Sequence, residues 1–212
     1  MFRRKRSAAT APPPNPALMT LVETTGAAAR DAGSFREAVE RVLRDVADTS
    51  GWAAGHAWVP VGDGWESMGV WYPEDGLALG GLRRACVESP AGPVRGHLAL
   101  ALHMETTQWV ADLGGLSGTP MHDAALAAGV VSALACPVYS HGVPIAILEW
   151  YVADDARPSP DVAHVLGHLS TVLTDVAERP VRAIPEQGRM RNVRETLRWV
   201  TEDGVMARLL TC

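Results

Sequence analysis

The sequence is poor in residues that build covalent or metal-held frameworks. Its three cysteines, Cys86, Cys136 and Cys212, lie 50 and 76 residues apart with no Cys-x-x-Cys pair. That spacing predicts neither a disulfide scaffold nor a zinc site, and it fits a reducing cytoplasm. An export signal is missing too: residues 1–6 are basic, but the next stretch, Ser-Ala-Ala-Thr-Ala-Pro-Pro-Pro-Asn-Pro, cannot form the apolar middle of a signal peptide. Long apolar runs are absent. Residues 124–148 carry no Asp, Glu, Lys or Arg, yet Gly129, Pro137, His141, Gly142 and Pro144 interrupt them, so a membrane helix is excluded and a soluble protein expected. Positive charge is also short, 19 Lys and Arg against 24 Asp and Glu for a net charge of -5, which gives no footprint for a nucleic-acid backbone. Lys5 is the only lysine, a compositional bias that carries no functional argument.

What is present is an ordinary globular composition, 47% apolar and 20% charged, enough for a packed core. A chain of 212 residues then predicts one domain of about 150 residues with tails. Residues 1–17 are expected to be a disordered, basic, proline-rich leader, 18–180 the domain, and 181–212 a helical extension with Met190, Val193, Leu197 and Val200 on one stripe. Phe35, Val39, Val42, Leu43 and Val46 recur at helical spacing behind Ser34, an N-cap with Glu37 three residues on, which predicts a helix to Gly51. Residues 52–59 and 65–72 read as two antiparallel strands around a Pro-Val-Gly-Asp-Gly turn. Short helices follow at 82–87 and 97–104, then a strand at 108–112, and a helix opened by Thr119-Pro120 and closed by Gly129. Residues 131–139 and 143–152 form a second, near-continuously apolar hairpin at the sheet centre. From Ser159 a last helix carries Val162, Val165, Leu166, Leu169, Val172, Leu173 and Val176, a stripe wide enough to suggest a partner helix from a second copy.

The order of elements resembles a GAF domain, the small-ligand sensory module, and four motifs carry the resemblance. They are Gly51-Trp52, Trp109-Val110-Ala111-Asp112, Gly129-Val130-Val131-Ser132, and Ile145-Ala146-Ile147-Leu148-Glu149-Trp150, the last with Ala146 where the family usually has glycine. The resemblance spans residues 34–179. It implies an α+β fold: a six-stranded antiparallel sheet with terminal helices on one face and ligand-pocket helices and loops on the other.

On that scheme Trp109, Asp112, Leu113, Met121, His122 and Leu126 surround the pocket mouth, with Trp71 beneath. A Trp wall with one carboxylate and one imidazole suits a planar small molecule. The competing reading makes Trp109 a core residue and Asp112 a loop cap. Glu149 is either outward-facing or an unusual, partly buried carboxylate. Cys136, inside a central strand, reads as packing; Cys86, after Arg83-Arg84, is either a reactive thiol or a plain surface one. No metal site is expected: His97 and His103 are six apart on one helix, and His164 and His168 lack the glutamate of an HExxH. Cysteine is missing from the Thr119-Pro120-Met121-His122 segment, where the phytochrome pattern attaches a bilin, and the cyclic-nucleotide signature is absent. The GAF-type reductases of free methionine sulfoxide use several clustered cysteines, a set this chain lacks.

The resulting expectation is a non-enzymatic, cytoplasmic sensory or regulatory domain in signal transduction. Its expected partners are an unidentified small-molecule ligand, a second copy of the chain and a downstream signalling protein, with no membrane and no nucleic acid; no cofactor is specified. The alternatives are a redox or thiol-dependent enzyme using Cys86, a haem or tetrapyrrole sensor, and a structural interaction domain without ligand.

Overall fold

A computed structural model describes residues 15–74, 79–89, 92–116, 119–154 and 157–179. The leader up to residue 14 and the extension from residue 181 lie outside the described residues.

The chain enters through a helix absent from the sequence expectation, α1 (Pro16–Asp31). Asn15 caps it, its side chain accepting from the Ala17 N–H at 3.0 Å, and Pro16 occupies the first turn, where no partner for an N–H is needed. Leu18, Leu21, Thr25 and Ala29 form its buried stripe. The Val-Glu-Thr-Thr-Gly stretch inside it, residues 22–26, has weak helix propensity, so packing rather than local preference holds this turn. Thr25 Oγ1 donates to the Asp45 carboxylate at 2.8 Å, tying α1 to α2 (Phe35–Ser50). Helix α2 follows its sequence signals, with the Ser34 side chain accepting from Glu37 N–H and Gly51 closing it at φ 69°.

Strands β1 (Ala54–Val61) and β2 (Gly64–Tyr72) make the first hairpin. Then come α3 (Gly80–Glu88), α4 (Gly96–Met104), β3 (Gln108–Val110), α5 (Pro120–Ala127), β4 (Ser132–Ser140), β5 (Val143–Val152) and α6 (Pro160–Ala177). All pairings are antiparallel in the order β2-β1-β5-β4-β3, so the second hairpin lies inside the sheet, as its apolarity predicts.

The sheet has five strands among the described residues, not the six implied by the resemblance. Beside the outer edge of β2 a single bridge joins Trp65 and Gly92. Pro90 and Pro93 flank Gly92 in the sequence, and prolines at that density disfavour a regular strand.

The two faces of the sheet bury two separate cores, set by the two-residue period of the strands. Ala57, Val70, Leu134, Cys136, Val138, Ala146, Leu148 and Trp150 pack beneath the layer of α1, α2 and α6. All seven stripe positions of α6 are buried inside one chain, covered by β4 and α1, so the width of the stripe has an intrachain explanation. On the other face Ala54, Trp58, Ala133, Ala135, Ile147 and Tyr151 meet Leu82, Cys86, Leu98, Ala101 and Ala125 of the three short helices. No helix among the described residues is long and apolar enough to cross a membrane.

Candidate functional site

The second core is polar at its centre. Period-two alternation puts His56 and Trp58 of β1 on the same face as Glu149 and Tyr151 of β5, and the β1–β5 register sets His56 opposite Glu149. Glu149, fully buried, is bonded on both oxygens. Its Oε1 accepts from His56 Nδ1–H at 2.9 Å, from Trp58 Nε1–H at 2.8 Å and from the Tyr151 hydroxyl; its Oε2 accepts from His97 Nε2–H at 2.9 Å. Burial alone would raise its pKa, but the His56 and His97 hydrogen bonds outweigh burial and hold the carboxyl well below the usual carboxylate range. The group is therefore ionised. Burial lowers the His56 pKa, so His56 is neutral and donates through Nδ1, while its Nε2 accepts from the Ser67 hydroxyl at 2.8 Å.

Cys86 reaches this centre from α3. The Sγ atom, a His56 ring nitrogen and a Glu149 oxygen all lie within 4.8 Å of one another, and all three residues are buried. Cys86 is thus neither a surface thiol nor an electropositive one. Burial, then the Glu149 charge, push its pKa well above that of a free thiol. Cys136, raised to about 11 mainly by burial, sits in the opposite core and cannot approach it across the sheet.

Trp71 stacks on His56 with ring centroids 4.0 Å apart, and its indole lies 6.3 Å from the Tyr151 ring at an interplanar angle of 8°. The Arg83 guanidinium sits 5.5 Å above Trp71 and donates to the Pro73 and Glu74 carbonyls. On the other flank His122, at the start of α5, lies 5.6 Å from His97, ring to ring. Its Nδ1–H donates to the Leu116 carbonyl at 2.8 Å, which leaves Nε2 as an acceptor. Burial first, and His97 second, lower its pKa.

Five buried side-chain polar atoms lack a partner among the described residues, and four of them belong to residues around this cluster: Trp71 Nε1, Arg83 Nε, His97 Nδ1 and His122 Nε2. The first two are donors. With His97 donating through Nε2 and His122 through Nδ1, the other two are acceptors. A buried polar atom without a partner costs on the order of 1–3 kcal/mol, so each of the four is a candidate contact for a bound molecule.

The residues expected from sequence divide between the two faces. Trp71, Leu113, Met121 and His122 pack with this second core. Trp109, opposite Leu134 in the β3–β4 register, packs with the helix-layer core instead. Asp112 is exposed and caps its loop, accepting from Gly114 N–H at 2.8 Å, and Leu126 is exposed. His56, Trp58, Arg83, His97 and Tyr151 were not among the expected site residues. His56 and His97 carry a sequence signal only in retrospect: each is a histidine inside an otherwise apolar run.

No family model and no curated relative matches the chain by sequence. Solved structures do match it in fold. The free methionine-R-sulfoxide reductase of Neisseria meningitidis, in complex with its substrate, aligns at TM-score 0.57 and 16% identity over 81% of this chain and 95% of that one. The fRMsr of Staphylococcus aureus, also with substrate, aligns at 0.60 and 15% over 80% and 99%. The GAF domain of an Acinetobacter phosphoenolpyruvate-protein phosphotransferase aligns at 0.59 and 12% over 77% and 93%. The chain has the GAF fold. The expectation of a non-enzymatic protein is corrected by the same comparisons, because proteins sharing this fold include the reductases, which are enzymes.

Proposed function

We propose that the chain is a thiol-dependent redox enzyme on a GAF scaffold, with Cys86 as its reactive group and a small amino-acid-like molecule bearing an oxidised sulfur as its substrate. The four unpartnered polar atoms around the cluster carry this reading. A zwitterion offers acceptors to Trp71 Nε1–H and Arg83 Nε–H, and a donor to His97 Nδ1 or His122 Nε2. The likeness in fold to reductases of a free sulfoxide amino acid supports the substrate class.

The chemistry closes with one thiol. Glu149 and His56, both within 4.8 Å of Cys86 Sγ, orient the thiol, whose proton passes to the sulfoxide oxygen of the substrate. The Cys86 sulfur then attacks the substrate sulfur; the sulfide leaves, and the oxygen remains on Cys86 as a sulfenic acid. Two equivalents of an external thiol return Cys86 to the reduced form, releasing water and a disulfide. The reductant is taken as external because the one other cysteine among the described residues, Cys136, lies in the other core; a cytoplasmic setting supplies such thiols. His56, Cys86, His97 and Glu149 are all fully covered, so substrate entry requires the α3–α5 layer to open.

The test is to incubate the purified chain with free methionine-R-sulfoxide and dithiothreitol and quantify methionine by chromatography. Turnover that disappears in Cys86→Ser and persists in Cys136→Ser is the expected result. Absence of methionine formation by the folded wild type overturns the substrate assignment, and turnover retained in Cys86→Ser overturns the role of the thiol.

A further inference from the structure

We infer that His56 Nδ1, Cys86 Sγ and the Glu149 carboxylate form a three-ligand site for one borderline-soft divalent transition-metal ion, of which zinc is the type. The three donors come from β1, α3 and β5, and all lie within 4.8 Å of one another in a fully buried setting. Donors bound to one zinc ion at ~2.0–2.3 Å stand roughly 3.3–3.8 Å apart in a tetrahedron, so modest side-chain movement suffices. A nitrogen, a sulfur and a single carboxylate suit zinc, cobalt or ferrous iron and disfavour calcium and magnesium, which take oxygen ligands. Three protein ligands leave a fourth position open, the arrangement of catalytic rather than structural sites.

The surrounding hydrogen bonds fit this assignment on independent grounds. A metal-bound histidine donates its second ring N–H to a fixed acceptor. His56 has one: Ser67 Oγ lies 2.8 Å from Nε2, and a hydroxyl accepts as readily as it donates. Moving the His56 proton from Nδ1 to Nε2 frees Nδ1 for the ion and preserves the Ser67 bond. His97, 2.9 Å from the other Glu149 oxygen, holds the carboxylate in place. Binding releases one proton, from the Cys86 thiol, which becomes the thiolate ligand. Cys86 held in this way is withheld from attack on a substrate, so the metal-loaded form is inactive in the thiol reaction proposed above. The metal site itself rests on geometry and stands apart from that reaction.

The experiment uses the full chain, stripped with a chelator and titrated with cobalt(II) and with zinc(II). One equivalent of cobalt is expected to bind with a sulfur-to-cobalt charge-transfer band, lost in Cys86→Ser and kept in Cys136→Ser. Ser67→Ala is expected to weaken binding about tenfold through the orientation of His56. X-ray absorption of the zinc-loaded wild type, which needs no variant to fold, is expected to show one sulfur at ~2.3 Å. Failure of the folded wild type to take up a stoichiometric ion overturns the site, as does a coordination shell without sulfur. A metal-free protein that reduces sulfoxide yet binds no metal removes this inference alone; one that binds metal through Cys86 yet never reduces sulfoxide removes the proposed reaction alone.

Discussion

His56 stands directly opposite Glu149 across the β1–β5 pair, with Nδ1 2.9 Å from Oε1, in the middle of what would otherwise be an apolar sheet face. The sheet therefore spends its most buried positions on a carboxylate and an imidazole. Burying an ionised carboxylate is unfavourable by several kcal/mol unless its lone pairs are filled, and here four donors fill them. Such an arrangement specifies one geometry rather than maximising stability.

Glu149→Gln tests this balance. The amide can accept on one side only, so its NH2 faces donors that the carboxylate had satisfied. A loss of about 2–4 kcal/mol is expected in urea unfolding, from at least two buried groups left unpaired. A variant as stable as the wild type would show that the donors find other partners.

Stability is expected to fall on acidification from about pH 6.5. The folded pKa of His56 lies below the value of 6.5 it would have unfolded, so below that pH the unfolded chain takes up a proton the folded chain refuses. Glu149 adds to the loss further down, because its folded pKa lies below 4.5 and acid protonates the unfolded carboxylate first. Urea midpoints at pH 7.5, 6 and 5 should decrease in that order, and His56→Gln should flatten the upper part of the slope.

Gly96→Ala is expected to lower the melting temperature and to disturb His122. Gly96 sits at φ 59°, where a side chain is strained, and an added Cβ would stand 2.6 Å from His122 Cε1. The backbone term costs on the order of 1–3 kcal/mol before the clash is counted. The His122 ring resonances, followed by NMR, should shift with it.

Trp71→Phe keeps an aromatic ring against His56 and removes only the unpartnered indole N–H. If that N–H binds substrate, KM rises about tenfold for a lost hydrogen bond of ~1.4 kcal/mol while the fold stays intact. An unchanged KM would place the substrate elsewhere.

The sequence by itself determined the elements that have local punctuation. Ser34 and Gly51 bound α2, Thr119-Pro120 opens α5, and the two hairpins follow from alternating or continuous apolarity between turn residues. Helix α1 escaped because its middle has weak propensity and is held by contact with α2 and α6. The residues of the site were legible only as isolated oddities: a histidine in each of two apolar runs, a cysteine in a short helix, and a glutamate in a central strand. What tertiary structure decided was their convergence. His56, Cys86, His97 and Glu149 span 93 residues of chain, and only the pairing of β1 with β5 beneath α3 and α4 brings them together. The same register sent Trp109 to the opposite face, because a strand alternates its side chains and the partner opposite it, Leu134, points into the helix layer.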